Sequence, residues 1–409
     1  MEETRPADEG IGLRRGRLGV YQDGPFAVVR ADGATSVAPD PADAPFFRFL
    51  SGVGEHFESF VVFARTVARE RGSRPDVLPP GTEAVELPDY GDLRRVPAVA
   101  RSLIRTARAF WTGVDRVDTV WTFGPHPFEF LLVAVALVRG RRVVLGVRQD
   151  TPAYFRARLP SPRWKPALVA VHGMDALHRL LARRIPATVV GTENAQRYAS
   201  RRGRVFAMTP TLVRAADLVV EPPPRDWSKP IELLTVGRVD REKNPLMLVE
   251  AVAALGGEPP AGFRLTWVGV GPLADAVREH AAALGIAEAV ELPGYIPFGP
   301  ELLERYRRAH AFVHVSLTEG VPQVLTEAHA SGTPIVATDV GGVRAALDDG
   351  RAGLLVPPDD VEALVAAVRR LVGDERLRSQ LVERGLELAR ARTLEGEAAR
   401  VAAFIRDAR

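Results

Sequence analysis

Two short segments of this 409-residue chain gather the residues best suited to chemistry: GRVDREKNP, from Gly237 to Pro245, and EGVPQVLTEA, from Glu319 to Ala328. Arg238 and Lys243 flank one polar turn and could converge on a single anion. The lysine is informative, because only Lys165, Lys229 and Lys243 are lysines among 54 basic residues. Lysine offers a compact point charge with rotatable donors, which arginine does not. Alone, such a pair would read as a solvated basic turn. In the second segment Gly320 and Val321 precede Pro322, a residue suited to the first helical position. Their N–H groups would then lie beside a helix N-terminus, a ready site for phosphate or carboxylate. Glu319 stands before that turn and Glu327 more than a turn inside the helix. One carboxylate could meet hydroxyls on a transferred group while the other accepts hydrogen bonds from a ribose. Two glutamates alone are ordinarily surface charge; their place at a strand–turn–helix junction favours the functional reading. Together the two segments suit a nucleotide-activated donor, a nucleoside diphosphate from which a group is removed.

The elements that must position these residues are also legible. IELLTV, Ile231 to Val236, reads as a buried strand, so Gly237 opens the strand-to-helix turn where α/β folds place ligands, and glycine there allows close approach of backbone. AFVHVS, Ala311 to Ser316, is a second such strand. Residues 1–15 read as disordered. Over 16–220, strands are expected at SFVVFA near Phe60, DTVWTF near Val120, RVVLGV near Val144, ATVVG near Val189 and LVV near Val219. They alternate with amphipathic stretches, which predicts an α/β domain with a mostly parallel sheet. EPPPRDWSKP, 221–230, is a proline-rich break and a linker candidate. A second series over 231–390 places strands near Leu234, Leu265, Val290, Val313, Ile335 and Leu355, and 391–409 reads as a terminal helix.

GRVDREKNP, PGYI at Pro293 to Ile296, the two glutamates of EGVPQVLTE, ASGTPIVATDVGG and AGLLVPPDD resemble, in order and spacing, the C-terminal half of family-4 glycosyltransferases over residues 231–371. The resemblance implies an α/β GT-B fold: two Rossmann-like domains with mostly parallel sheets facing a central cleft. Residues 16–220 would serve the acceptor, 231–390 the nucleotide-sugar donor, and the helix 391–409 would return toward the first domain. It further implies retaining transfer of a hexosyl-type sugar from a UDP- or GDP-type nucleoside diphosphate to an acceptor sugar, a lipid-linked sugar or a small molecule. Residue by residue, Arg238 and Lys243 match the diphosphate ligands, Glu319 the residue facing the donor sugar and Glu327 the ribose ligand. Gly320 and Val321 match positions whose backbone meets the donor, Gly237 and Pro322 belong with that set, and Gly294 and Tyr295 lie where the base is lodged.

The first half departs from the family pattern, which has a glycine-rich loop after the first strand. The nearest candidates are Asp23-Gly24-Pro25 and SGVGEHF at Ser51 to Phe57, each equally readable as a plain turn. His126 in GPHP follows a predicted strand, where family members often place a histidine, although Phe123 could occupy that register and His126 be a turn residue between prolines. Arg148 and Asp150 in RQD form another strand-end cluster, an acceptor contact or a structural ion pair. Asp23, Gly24, His126, Arg148 and Asp150 are thus the acceptor-side candidates, and His126 joins Glu319, Arg238 and Lys243 as a catalytic candidate. The fixed cations and helix N-terminus could stabilise the charge that grows on a leaving diphosphate. The chain contains no Asp-x-Asp, so neither a metal nor another cofactor is expected. Retention by front-face attack of the acceptor hydroxyl follows from the resemblance.

Composition excludes several classes. A net charge of +3, 7% aromatics and no basic tail give nucleic-acid binding little support. The absence of cysteine rules out disulfides, thiolate metal sites and a cysteine nucleophile. The acidic start MEETRPADEG is unlike a signal peptide, and FLLVAVALV, Phe130 to Val138, is too short to span a bilayer. A cytoplasmic protein is the expectation. Arg101, Arg105 and Arg108 share one face of RSLIRTARAFW, with Leu103, Ala107 and Phe110 on another. That is a solvated helix or a peripheral contact with the inner face of the membrane. Two other enzyme readings are a GT-B sugar phosphorylase and a nucleotide-sugar hydrolase, in which phosphate or water replaces the acceptor. A non-catalytic two-domain nucleotide- or sugar-binding protein is a third reading, which leaves the paired cations and carboxylates unexplained. A dehydrogenase would need a GxGxxG after the first strand.

Overall fold

The computed structural model describes residues 16–31, 34–40, 43–67, 82–91, 96–157, 165–256 and 262–408. The segment expected to be disordered, 1–15, lies outside them. Two compact units divide at Met208/Thr209; the second runs Thr209–Glu397, and Ala398–Arg409 counts with the first.

The sheet of the first unit is built from β1 (Arg17–Ala31), β2 (Ala34–Pro39), β3 (Ser59–Val67), β4 (Thr82–Leu87), β5 (Thr119–Gly124), β6 (Arg142–Val147), β7 (Ala187–Val190) and β8 (Val205–Met208). Its order is β4-β3-β1-β5-β6-β7-β8, all parallel, with β2 antiparallel on β1. Strand succession therefore reverses direction between β1 and β5. Val120, Trp121, Val144 and Leu145 are fully buried, as expected of strands covered on both faces. Four strands were not anticipated: β1, β2, β4 and β8. The strand expected near Val219 does not form; Val219 N instead donates to Ala330 O at 3.0 Å, within the second unit.

The second unit contains β9 (Ile231–Val236), β10 (Phe263–Val268), β11 (Val290–Gly294), β12 (Ala311–His314), β13 (Ile335–Thr338) and β14 (Leu354–Val356), each at an expected position. All pair in parallel in the order β11-β10-β9-β12-β13-β14, with the reversal between β9 and β12. One core cluster includes Ile231, Leu233, Trp267 and Val313, and a second, on Leu234 and Phe312, includes Tyr306 and Leu325. Each such fully buried side chain contributes about 1.5–3 kcal/mol. The stretch 221–230 is docked on this unit: Arg225 donates to Ala309 O at 2.6 Å and Trp227 packs edge-on against His310.

The glycine-rich candidates of the first unit take other forms. Asp23-Gly24-Pro25 lies inside β1, where the pairing with β3 slips between Tyr21 and Pro25, and is not a turn. Ser51–Gly54 belongs to the helix Ala44–Gly54, and a Cβ on Gly54 would stand 2.6 Å from the Phe60 ring, so that glycine serves helix packing.

Candidate functional site

Ligands in open α/β sheets bind beyond the strand C-termini where the strand order reverses. In the second unit that place is the β9/β12 boundary, and the two charged segments of the sequence sit there. After β9 the chain passes Gly237 into a short 3-10 turn, Arg241–Lys243, whose N–H groups on Glu242 and Lys243 donate to Asp240 at 3.1 and 3.3 Å. Asn244 adopts the left-handed conformation and Pro245 opens the helix Pro245–Leu255, as expected. Leu317 N donates to Glu242 O at 2.8 Å, which joins this turn to the segment after β12.

Across that joint Lys243 Nζ pairs with Glu319 Oε1. The same oxygen accepts from Ser316 Oγ at 2.8 Å and lies 3.0 Å from His314 Nε2. Burial alone would raise the Glu319 pKa, but His314 and Lys243 favour its charged form and hold it at about 2. Burial pushes the His314 pKa down, so its ring is neutral at pH 7. Backbone packing shapes the same corner. A Cβ on Gly341 would stand 1.9 Å from the Glu319 carbonyl oxygen, and one on Gly342 2.0 Å from that of Gly320. The Gly-Gly of TDVGG is thus what lets the loop after β13 lie against the backbone that carries Glu319.

Arg238 is brought to the same turn, but its guanidinium is half exposed and pairs with Asp240 at 2.8 Å and Glu242 at 2.7 Å. The helix after β12 is Gln323–Ala330, so Pro322 is its N-cap, extended at φ −75° and ψ 101°, one position earlier than expected. Gly320 has open space where a Cβ would be; Val321 follows it in the loop that leads into Pro322. Glu327 is buried, and Tyr306 Oη donates to its Oε2 at 2.9 Å. Burial raises the Glu327 pKa to about 7 against the opposing pull of that phenol. Gly294, at φ +88°, ends β11, and Tyr295 beside it is 58% exposed.

The first unit repeats the pattern at its own reversal point, between β1 and β5. Asp23 on β1 accepts from Tyr21 Oη at 3.1 Å and Tyr90 Oη at 2.7 Å, and Arg65 lies 3.7 Å away. His126 follows β5 and caps the helix Pro127–Val138: its Nδ1 accepts from Phe128 N at 3.3 Å. The proton is therefore on Nε2, 3.2 Å from Tyr90 Oη and 3.6 Å from Asp23 Oδ2. Burial lowers the His126 pKa, opposed by Asp23 and Glu129. Gly24 sits next to this cluster, and a Cβ there would be 3.4 Å from Asp43. Arg148 and Asp150 do not pair with each other. Arg148 pairs with Asp43 and lies 4.7 Å over the Phe46 ring. Asp150 pairs with Arg197 and accepts from Ala153 N at 3.2 Å. The Arg101 helix, Val96–Gly113, buries Ser102, Thr106 and Phe110; Leu103, expected on the covered face, is exposed with Ile104 beside the arginines.

A family model described as glycosyl transferases group 1 matches residues 222–388. The second unit is a group 1 glycosyl transferase domain. Over 194 residues the chain is 32% identical to a D-inositol 3-phosphate glycosyltransferase of Thermobifida fusca, a match covering 44% of this chain and 43% of that relative. The chain thus matches less than half the length of this curated relative. Sucrose-phosphate synthase from Thermosynechococcus elongatus superposes with a TM-score of 0.67 at 20% identity, covering 96% of this chain and 98% of that one. Anabaena HepE, solved in complex with UDP-glucose, gives 0.61 at 15% identity over 95% and 100%. At these identities the likeness establishes the fold: the chain is a GT-B protein.

Several residues of the group 1 domain escaped sequence reasoning. Gly269 and Gly271 of WVGVGPL close against the Gly237 turn, since a Cβ would stand 1.9 Å from Gly237 O and 2.3 Å from Val239 O. Their GxG spacing after a strand was the available signal. His314 and Ser316 carried none, because a buried donor within an apolar run looks like core until its acceptor is known, and Tyr306, in the charged helix Pro300–Arg308, has nothing near it in sequence to reveal its partner.

Proposed function

We propose that this chain is a retaining, metal-independent glycosyltransferase that moves a sugar from a nucleoside-diphosphate donor to an acceptor hydroxyl. The observation that carries the reading is the meeting of Lys243 and Glu319 at the β9/β12 reversal point of a group 1 domain. As the bond from the anomeric carbon to the diphosphate oxygen breaks, negative charge grows on that oxygen. Arg238 and Lys243, carried by the same turn, stabilise it once they have swung from their carboxylate partners to the diphosphate. Glu319 accepts hydrogen bonds from the donor sugar, Glu327 accepts from the ribose hydroxyls, and the base rests by Gly294 and Tyr295. The backbone of Gly237 and of Gly320 to Pro322 meets the donor. The acceptor hydroxyl attacks from the side the diphosphate leaves, and its proton passes to the departing oxygen. The Asp23–His126 group, with Gly24 beside it, is the proposed sugar contact of the first unit. Arg148 and Asp150 shape the neighbouring strand ends through Asp43 and Arg197.

The UDP-glucose complex of HepE supports a UDP-linked hexose as donor over a GDP-linked one. The proposed acceptor is a sugar, a lipid-linked sugar or a small molecule. Among the described residues no helix is long and apolar enough to cross a membrane. Ile104 and Val138 are 65% and 73% exposed, Arg101, Arg105 and Arg108 are exposed on the same helix as Ile104, and Arg139 stacks over Trp111. This mixture of apolar and basic groups suits peripheral contact with an anionic membrane face. Thermal-shift screening of UDP-, GDP- and ADP-sugars tests the donor, since a ligand of the folded state raises its stability. Diphosphate release that requires an added acceptor supports transfer. Release into water alone would instead make it a hydrolase, and phosphate-dependent release a phosphorylase.

A further inference from the structure

The buried side of the donor site holds an ionisable group with no part in the mechanism above. His314, the last residue of β12, is 2% exposed, yet its Nε2 faces the Glu319 carboxylate at 3.0 Å and Ser316 Oγ at 3.1 Å. Ser316 directs its own proton to Glu319, so it can only accept from His314, and the ring proton is on Nε2. Lys243, His314 and Ser316 thus all converge on Oε1 of Glu319.

We propose that His314 is a positioning residue: with Ser316 it holds the Glu319 carboxylate in place and ionised when Lys243 leaves it for an incoming diphosphate. The inference rests on the donor-site reading above. Lys243 already donates to Glu319, so an incoming diphosphate competes for its N–H donors and draws the ammonium off the carboxylate, a shift its flexible stem allows. A carboxylate that is only 11% exposed cannot lose its cation without other donors to its charged form, or it takes up a proton. A protonated Glu319 would compete as a donor where sugar hydroxyls need an acceptor. The two remaining donors do not move with Lys243. They belong to β12 and the residues just after it, and Thr338 Oγ1 of β13 fixes that backbone by donating to Ser316 O at 2.6 Å. Among the described residues the charged groups facing His314 are Glu319 and Lys243, so a neutral ring suffices: a second cation would be surplus while Lys243 is present.

The departure of Lys243 can be imitated by Lys243→Ala, which removes any need for a known ligand. With carboxyl-13C glutamate and Glu319→Gln to assign the resonance, the Glu319 titration is followed in K243A, K243A/H314L and K243A/H314Q. In K243A the midpoint should stay in the ordinary carboxylate range or below. Adding H314L should raise it by at least one pH unit, and H314Q, which keeps an N–H donor at that reach, should bring it most of the way back. K243A/S316A should move in the same direction as H314L and serves if leucine disturbs the core beside Phe312. In otherwise wild-type protein, H314L should lower kcat about tenfold while UDP affinity changes less than threefold. An unmoved Glu319 midpoint in both K243A/H314L and K243A/S316A, or a UDP affinity that falls in step with kcat, overturns the proposal. Absence of any nucleotide-sugar turnover by the wild type would instead overturn the donor reading, and the carboxyl titration would still decide whether His314 holds Glu319.

Discussion

Replacing Glu327 by glutamine should stabilise the second unit at alkaline pH while weakening its hold on a nucleotide, opposite effects of one buried charge. Glu327 lies in the helix Gln323–Ala330 where, among the described residues, the Tyr306 hydroxyl is its one side-chain donor, and burial raises its pKa from 4.5 to about 7. A folded-state value above the unfolded one means the unfolded chain gives up this proton first. The contribution to stability is therefore fully present below pH 4.5 and is lost as pH rises through about 7. At about 1.4 kcal/mol per pH unit, that span corresponds to a loss on the order of 3 kcal/mol by pH 8.5. Glutamine keeps an acceptor for Tyr306 and has no proton to lose. Hydrogen exchange of peptides from β9 and β12, which reports the opening of this unit alone, should show wild type and E327Q nearly equal at pH 5. At pH 8.5 the variant should be more stable by roughly that amount. Nucleotide binding should run the other way: UDP affinity of the wild type rises with pH through 7 as the carboxylate forms, while that of E327Q stays flat and weaker. A stability difference that does not change with pH would refute the reasoning, because it would mean that Glu327 is ionised or neutral throughout.

Lys243→Ala and Arg238→Ala should each lower kcat/KM by roughly one to two orders of magnitude, since a charge-assisted hydrogen bond contributes about 1.5–3 kcal/mol; near-wild-type rates in both would remove the diphosphate assignment. Glu319→Ala should reduce turnover far more than nucleoside-diphosphate affinity, measured by calorimetry beside initial rates, because in the proposed reading it faces the group that changes in the transition state. Activity should persist after exhaustive dialysis against EDTA; complete loss restored by magnesium or manganese would contradict metal independence. Gly341→Ala, whose Cβ would stand 1.9 Å from the Glu319 carbonyl, should impair turnover more than it lowers the melting temperature, and unchanged rates would show that the loop can yield.

What could be read in the sequence follows from how local each feature is. Every strand of the second unit, and the two turns that carry Lys243 and Glu319, are signalled by contiguous residues: an apolar run, a glycine, a charge, then a proline or helix. The first unit offers no such run. Asp23, Arg65, Tyr90 and His126 come from β1, β3, the segment after β4 and the segment after β5, and only the sheet order brings them together. His126 stood out because it follows an obvious strand. Arg65 and Tyr90 did not, because nothing near them in sequence reveals a partner. β1 was missed for a related reason: a strand interrupted by Asp23-Gly24-Pro25 reads as two fragments and a turn. The Arg101 helix failed differently. Apolar periodicity picked Leu103, whereas the covered face is Ser102, Thr106 and Phe110, an i, i+4, i+8 stripe whose two small polar members hide it from a hydrophobic count.

The charges at the proposed donor site also bear on what it can recognise. Two cations, Arg238 and Lys243, already face three carboxylates, Asp240, Glu242 and Glu319. A diphosphate therefore competes with protein carboxylates for these cations rather than meeting unpaired ones. For Arg238 the exchange is cheap, because its side chain is half exposed and such pairs contribute little. Asp240, meanwhile, remains held by the N–H groups of the turn. For Lys243 the exchange is costly, because Glu319 is nearly buried, and removing one partner of a buried pair leaves an uncompensated charge. His314 and Ser316 cover part of that cost, and hydroxyl donors on the ligand would cover more. In the proposed reading a bare diphosphate frees Lys243 but gives Glu319 nothing, while a nucleotide sugar brings the phosphate that draws Lys243 away and the hydroxyls that replace it. The ion pair thereby couples recognition of the leaving group to recognition of the sugar.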